Sequence, residues 1–287
     1  MSGKNNITVR KQKIRKNHTK AKLVFFLVLT ALLLFVAAFA KYLCPYDPYA
    51  QDLALAQKPP GPEHLLGTDR YGRDMLSRVI IGSTTSIYAT LLLVAVITVV
   101  GTAIGIICGW KGGKADAVLM RISDLFLAFP GLVFAMAVAA ILNGGVQNAV
   151  IALALISWPK YSRIARSQTL SMKSLPYMQA AQLAGDSALQ MIFRHVLPNI
   201  VGPILVTSML DIGTMMMEIA GLSFLGLGAQ PPVAEWGSMM SSGRSMLQTY
   251  PWIVLSPGLA IFVSVVIFNL LGDTIRDYMD PKNSHSR

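Results

Sequence analysis

Long apolar stretches separated by short polar loops dominate this sequence. Leu23–Ala40 contains no charged residue, and Ile87–Ile107 is almost purely aliphatic. A transmembrane helix needs about 20 mostly apolar residues, because the hydrocarbon core of a bilayer is about 30 Å thick. The pattern predicts an all-α, polytopic membrane protein with six transmembrane helices. The predicted spans are 23–40, 87–107, 125–142, 146–161, 200–222 and 252–271.

The first apolar stretch has a second interpretation, as a cleaved signal peptide. It follows a basic segment and ends in Ala38-Phe39-Ala40, which resembles a cleavage site. However, the run is about 18 residues long, which exceeds the usual apolar region of a signal peptide, and further spans follow it. The pattern therefore favours a retained transmembrane helix.

The distribution of lysine and arginine predicts the orientation, because cytoplasmic loops are enriched in these residues. With six spans, both chain ends lie on the same side. When that side is the cytoplasm, 19 of the 25 basic residues fall inside, eight of them in the tail 1–22. We therefore expect both ends to be cytoplasmic.

Composition supports lipid as the solvent of this chain and argues against nucleic acid as a partner. Hydrophobic residues make up 53% of the sequence and charged residues only 14%, whereas a soluble domain has about a quarter charged residues. The net charge of +11 is spread over short loops that flank apolar helices. The basic tail 1–22 is expected to meet anionic lipid headgroups.

The residues needed for bond chemistry are missing from the sequence pattern. Cys44 and Cys108 form no C-x-x-C pair, so no thiolate metal site is indicated. All four histidines lie outside the predicted spans, and no phosphate-binding G-x-x-x-x-G-K-[ST] motif occurs. We expect a chain that is not an enzyme and binds no metal or cofactor, so that any ATP hydrolysis is performed by another subunit.

The cytoplasmic loop 166–198 has the pattern of two short helices joined by glycine. Small residues recur on one helical face from Tyr177 to Ala184, and Gly185 supplies a joint that can be left-handed. Asp186 or Ser187 can cap the second helix, and Pro198 is expected to stop it. The apolar face of the second helix is predicted to comprise Leu189, Ile192, Phe193, Val196 and Leu197.

This loop resembles the E-A-A---G loop of binding-protein-dependent ABC importers. In that family the loop carries a coupling helix that docks on the ATP-binding subunit. Gln179 stands where glutamate is usual, which removes a charge. The resemblance implies that the ATPase-coupling residues are Gln179, Ala180, Ala181, Gly185, Ile192, Leu197 and Pro198.

Further motifs resemble the dipeptide/oligopeptide/nickel branch of these permeases. Leu66–Asp74 reads LGTDRYGRD, like the L-G-T-D-x-x-G-R-D signature, and 223–228 reads SFLGLG. Within the branch, 210–281 is most similar to the second permease subunit of nickel importers, on motifs such as Ala234-Glu235-Trp236-Gly237. Peptide and metal-chelate permeases share most of these motifs, so a dipeptide, oligopeptide or chelate solute stays open beside nickel.

The resemblance implies a type I importer permease in the bacterial cytoplasmic (inner) membrane. Its partners would be a related permease subunit forming a heterodimer, two ATP-binding subunits and an extracytoplasmic solute-binding protein. The implied organisation is a basic tail 1–22, a first helix 23–43, an extracytoplasmic segment 44–82, a permease core 83–271 and a cytoplasmic tail 272–287. An ion-gradient-driven carrier or channel is the alternative of a different class.

Acidic residues within the spans are candidates for the translocation path. Asp211 and Glu218 are seven residues apart and project from one helix face, and Asp124 lies at the edge of the third span. A charge at this depth costs at least about 2.5 kcal/mol, so it usually faces a cavity or a partner. Hydrogen bonding within the subunit or to a neighbour is the alternative to a path role.

Overall fold

Helices account for the regular structure of this chain. A computed structural model describes residues 2–279, with side chains from Thr19 onward. In this range the only β-type pairing is a single bridge between Thr68 and Asp74. The α-helices are α1 (Ser2–Ala38), α2 (Ala40–Leu43), α3 (Met75–Lys111), α4 (Gly113–Ala128), α5 (Gly131–Ile141), α6 (Val146–Lys173), α7 (Pro176–Leu183), α8 (Ala188–Gln190), α9 (Leu197–Phe224), α10 (Trp236–Gly243) and α11 (Trp252–Met279). Short 3₁₀ turns cover Leu53–Leu55 and Arg244–Met246, and a π-helical turn covers Met191–Val196.

Four helical segments of the described chain are long and apolar enough to cross a membrane. A fifth crossing is formed if α4 and α5, which meet at an angle of 95°, are one broken span. The fourth predicted span, 146–161, lies in α6, which is not among these segments. The described helices thus establish a polytopic α-helical protein, while six spans and cytoplasmic ends stay predictions. The four segments are Thr19–Ala38, Met75–Lys111, Ala188–Phe224 and Trp252–Met279.

The continuous apolar pattern of 125–142 did not predict the bend between α4 and α5. Phe129 has an extended backbone (φ −91°, ψ 146°), and Pro130 precedes the first residue of α5. The proline ring disfavours a helical conformation at the residue before it, and its nitrogen has no hydrogen to donate. The continuous apolar run is therefore two helices.

The centre of the bundle is the close packing of α3 against α6. Gly101, Gly105 and Gly109 of α3 face α6 at four-residue spacing, and a Cβ at Gly105 would lie 2.7 Å from Cβ of Ala165. Small residues at such a spacing let two helices approach closely, as in membrane helix pairs. α9 and α11 pack together beside this pair. α1 contacts α11 and α3, and only 11% of its apolar stretch is buried.

Candidate functional site

The coupling segment, which we define as residues 176–197, begins with a proline-initiated helix and a glycine joint. Pro176 opens α7, where its missing N–H is not needed. Gly185 has φ +96°, so the expected left-handed joint is present. Ser187 then caps α8: its hydroxyl accepts from the Gln190 N–H, and the Gln190 side chain accepts from the Ser187 N–H at 2.7 Å.

The prediction that Pro198 stops the second helix is wrong. The chain passes from α8 through the π-helical turn Met191–Val196 directly into α9, in which Pro198 is the second residue. The N–H of Leu197 donates to the carbonyl of Ile192, five residues back. This widened turn shifts the hydrogen-bond register just before the proline, so the helix continues through it.

The apolar face of this second helix also differs from the predicted one. Met191 and Val196 are buried, and Ile192 and Leu197 pack partly against the core, whereas Leu189 and Phe193 are 68% and 65% exposed. A π turn advances the chain by more than 3.6 residues per turn, which rotates the following side chains away from the regular α-helical face.

The surface of the coupling segment is largely uncovered by the rest of the described chain. Leu183 is 90% exposed, and Gln179, Ala180 and Gly185 are exposed as well. Ala181 is half-buried against the core. Tyr177 and Leu183 thus leave apolar surface uncovered on α7, which suits a protein partner. Leu189 and Phe193 instead line an apolar groove with Val99 and Ile106 of α3.

Of the predicted acidic residues in α9, Asp211 is engaged within the subunit. Its Oδ1 accepts from Nζ of Lys160 at 2.6 Å, and its Oδ2 accepts from the hydroxyl of Tyr161 at 2.9 Å. The residue is 6% exposed. Its contacts are those of a structural ion pair between α9 and α6.

Glu218 lies two turns further along the same face and has a different environment. It is half-buried, and its carboxylate has no hydrogen-bond or ion-pair partner among the described side chains. Thr214 and Met217 beside it are exposed, and a Cβ on Gly221 would meet nothing within 4 Å. This stretch of α9 is an open face in the single chain.

Asp124 forms an exposed ion pair with Arg163, and Asp116 accepts two hydrogen bonds from Arg166 at 2.6 Å. Sequence reasoning missed these α6 partners. Lys160, Arg163 and Arg166 recur every three residues, and each pairs with an acid on another helix. That spacing was the available signal, since residues three apart share one helical face.

The LGTDRYGRD motif builds the start of α3 at the opposite end of the bundle. Asp69 accepts from the backbone N–H groups of Tyr71 and Arg73 and from the Arg73 side chain at 2.7 Å. Asp74 caps α3 by accepting from the Ser77 N–H at 2.7 Å, and it also contacts His64 Nδ1 at 2.9 Å. These polar contacts stabilise the segment before α3 and determine where α3 begins.

The Ala234–Gly237 motif holds the same end of the bundle together. The carboxylate of Glu235 accepts from the N–H groups of Gly237 and Ser238 and so caps α10. Burial raises the pKa of Glu235, and these hydrogen bonds oppose that rise. The indole of Trp236 donates to the carbonyl of Val79 at 2.9 Å. The motif therefore has a packing role at the α3–α10 contact.

Groups of three or more histidine, cysteine or acidic residues that could hold a metal ion are absent from the part of the chain the structure describes. The three consecutive methionines of α9 differ in their surroundings. Met215 and Met216 are buried in the core, and Met217 faces outward.

Comparison with known proteins identifies the family. Residues 101–285 match the model of the binding-protein-dependent transport system inner membrane component. The chain is 44% identical over 255 residues, covering 89% of it and 86% of the relative, to a probable D,D-dipeptide transport system permease protein of Escherichia coli K12. It is 42% identical over 252 residues (88% and 84%) to a glutathione transport system permease protein of Pectobacterium atrosepticum.

Solved structures support the fold at lower sequence identity. An inward-facing structure of the MetNI methionine ABC transporter aligns with a TM-score of 0.55 at 17% identity, covering 71% of this chain and 98% of that one. At this identity the likeness concerns the fold alone. With the family model and the curated relatives, it shows that the chain belongs to the binding-protein-dependent transport system inner membrane components and is a permease subunit of an ATP-binding-cassette importer.

Proposed function

We propose that this permease subunit imports short peptides. The proposal rests on the names of related proteins. Relatives that are 38–44% identical to this chain are described as dipeptide and glutathione permeases. The resemblance of 210–281 to nickel permeases finds no support among these names. The Ala234–Gly237 motif, one of those on which it rested, packs α10 against α3.

Uptake of dialanine and of nickel by one strain tests the solute class. The strain would lack its own importers and express this chain with its partner subunits and binding protein. We expect ATP-dependent dialanine uptake well above the empty-vector level and no increase in nickel uptake. Nickel uptake without dialanine uptake would overturn the peptide assignment.

We further propose that the coupling segment docks on an ATP-binding subunit in the cytoplasm. The exposed apolar side chains of Tyr177 and Leu183 on α7 support this, since a partner would bury them. The segment leads directly into α9, whose 28 residues span about 42 Å. Movement of the segment can therefore tilt a helix that reaches the other end of the bundle.

Leu183→Asp tests the docking proposal, because a carboxylate at the centre of an apolar interface is costly to bury. We expect dialanine uptake and co-purification of the ATPase to be lost while membrane insertion is kept. Leu65→Asp is the matched control, since Leu65 is 64% exposed near the opposite end of the bundle. Equal co-purification from both variants would contradict the docking site.

The remaining proposals concern assembly. We expect a heterodimer with a related permease chain, two ATP-binding subunits and an extracytoplasmic binding protein in the bacterial cytoplasmic membrane, with both ends of this chain inside. In this arrangement the open face of α9 that carries Glu218 lines the path, whereas Asp211 and Asp124 act as structural ion pairs.

A further inference from the structure

A polar cavity of about 460 Å³ lies at the end of the bundle opposite the coupling segment. Its walls come from residues 69–78, the end of α9, the α9–α10 loop, α10 and the turn Arg244–Met246. The cavity thus joins the motif segment before α3 to the far end of α9, the helix that follows the coupling segment.

Positive charge dominates the lining of this cavity. Four arginines (Arg70, Arg73, Arg78 and Arg244) and a single acid, Asp69, line it. Two other carboxylates at this end, Asp74 and Glu235, are outside the lining and cap α3 and α10. The lining therefore carries an excess of three positive charges.

Two of the arginines are part of the buried wall. Arg73 and Arg78 are 7% and 5% exposed and share the carboxylate of Asp69, at 2.7 Å and 3.8 Å respectively. Arg78 also donates to the carbonyl of Pro48 at 3.0 Å. One carboxylate cannot neutralise two guanidinium groups, and buried charges of one sign need a partner.

The other two arginines stand exposed at the rim. Arg70 lies over the ring of Tyr71, with 4.7 Å between the guanidinium carbon and the ring centroid, and neither Arg70 nor Arg244 forms an ion pair with any described residue. Their planar guanidinium forks are suited to two parallel hydrogen bonds to one carboxylate. Buried and exposed arginines thus face one concave, polar space.

We propose that this cavity binds the C-terminal carboxylate of the peptide solute as the solute leaves the binding protein. The inference rests on the proposed function and adds the chemical group that is recognised at the outer mouth. The volume of the cavity lies within the range of about 300–1,000 Å³ that is usual for small-molecule binding sites. A concave site with two arginines buried in its wall suits the end of a small solute better than an acidic patch on a protein surface.

The test measures peptide binding to the purified importer in the absence of its binding protein. Dialanine and dialanine amide would be titrated calorimetrically into the full complex in nanodiscs. We expect the amide, which lacks the carboxylate, to bind at least tenfold more weakly than dialanine. The variant R70Q/R244Q should lose at least tenfold in dialanine affinity, and K41Q, which removes an exposed charge outside the cavity, should keep the wild-type affinity.

Two results would overturn the inference: equal affinity of the wild-type complex for the two peptides, and unchanged dialanine affinity in R70Q/R244Q. If the second result comes with a loss of binding-protein affinity, the arginines are assigned to an acidic patch of the binding protein. Dialanine uptake by the wild-type importer separates the two hypotheses, because uptake without cavity binding removes only the inference, whereas absent uptake removes the proposed function.

Discussion

The ammonium group of Lys160 lies 2.6 Å from Oδ1 of Asp211 and joins the middle of α6 to the middle of α9. The Asp211 side chain is 9% exposed and that of Lys160 is 51% exposed, so the pair reaches from the core to an open face. A carboxylate at this depth requires such a partner. Lys160 compensates the negative charge of Asp211. Glu218, on the same face of α9, forms no ion pair with a described residue.

Removing Lys160 alone should destabilise the protein more than removing both members of the pair. Lys160→Met leaves the Asp211 carboxylate uncompensated, and we expect a loss of about 1–2 kcal/mol, allowing for the half-exposed ammonium group. Lys160→Met/Asp211→Asn should recover most of this, because neither charge remains and the amide oxygen can still accept from the Tyr161 hydroxyl. The measurement is the thermal unfolding midpoint of the purified complex.

The control is Arg163→Gln, which breaks the pair with Asp124. Both of these side chains are about half exposed, at 49% and 47%, and exposed pairs contribute little. If Lys160→Met and Arg163→Gln have the same midpoint as the wild type, the pair between α6 and α9 has no structural importance.

The sequence predicted a helical membrane protein, because the length of an apolar stretch indicates a membrane span. It did not predict where the helices bend. The sequence gives no local difference between Pro130, Pro159 and Pro198, since each is a proline within or beside an apolar helical stretch. The first separates two helices, the second lies inside α6, and the third follows a π turn into α9. Which outcome occurs depends on whether neighbouring backbone can supply alternative hydrogen bonds, and that is tertiary information.

The sequence indicated where the acidic residues lie but not what they contact. Asp211 and Glu218, seven residues apart, both lie in the continuous helix α9. The partner of Asp211, however, comes from a residue 51 positions earlier in the chain. No local pattern distinguishes a paired acid from an unpaired one, so only the packing of α6 against α9 separates their roles.

Neutralising Glu218 should slow transport without affecting folding. Glu218→Gln keeps the shape of the side chain and removes a charge that could meet the protonated amino group of a peptide. We expect dialanine uptake to fall by about fivefold, which corresponds to the loss of about 1 kcal/mol from a charge-assisted contact. Glu63→Gln, at an exposed position of the segment before α3, is the control. Wild-type uptake by Glu218→Gln would exclude this residue from the path.

A methyl group at Gly185 should impair coupling through backbone strain alone. The residue has φ +96°, and a Cβ there would meet nothing within 4 Å. A non-glycine residue in this region costs about 1–2 kcal/mol, which would favour a different path of the chain between α7 and α8. We expect Gly185→Ala to reduce both dialanine uptake and the ATP hydrolysis stimulated by the binding protein.

Gly113→Ala is the matched control for this prediction. Gly113 also has a positive φ, +64°, and an open surrounding, but it is the first residue of α4. A similar strain is therefore applied outside the coupling segment. Equal reductions of uptake in the two variants would show a general effect of strain and would contradict a special role of the joint at 185.

The packing of α3 on α6 should be the part of the bundle most sensitive to added volume. At Gly105 a new Cβ would lie 2.7 Å from Cβ of Ala165 and 3.0 Å from the backbone nitrogen of Arg166, so the helices must separate. Overpacking of this kind costs about 1–3 kcal/mol. Gly105→Ala should lower the thermal unfolding midpoint of the complex and weaken the ion pairs that α6 makes with α4 and α9. Gly131→Ala, where a Cβ meets nothing within 4 Å, should leave the midpoint unchanged. If both variants have the same unfolding midpoint as the wild type, α3 and α6 can move apart without a loss of stability. Close approach of these helices then does not position Lys160 against Asp211.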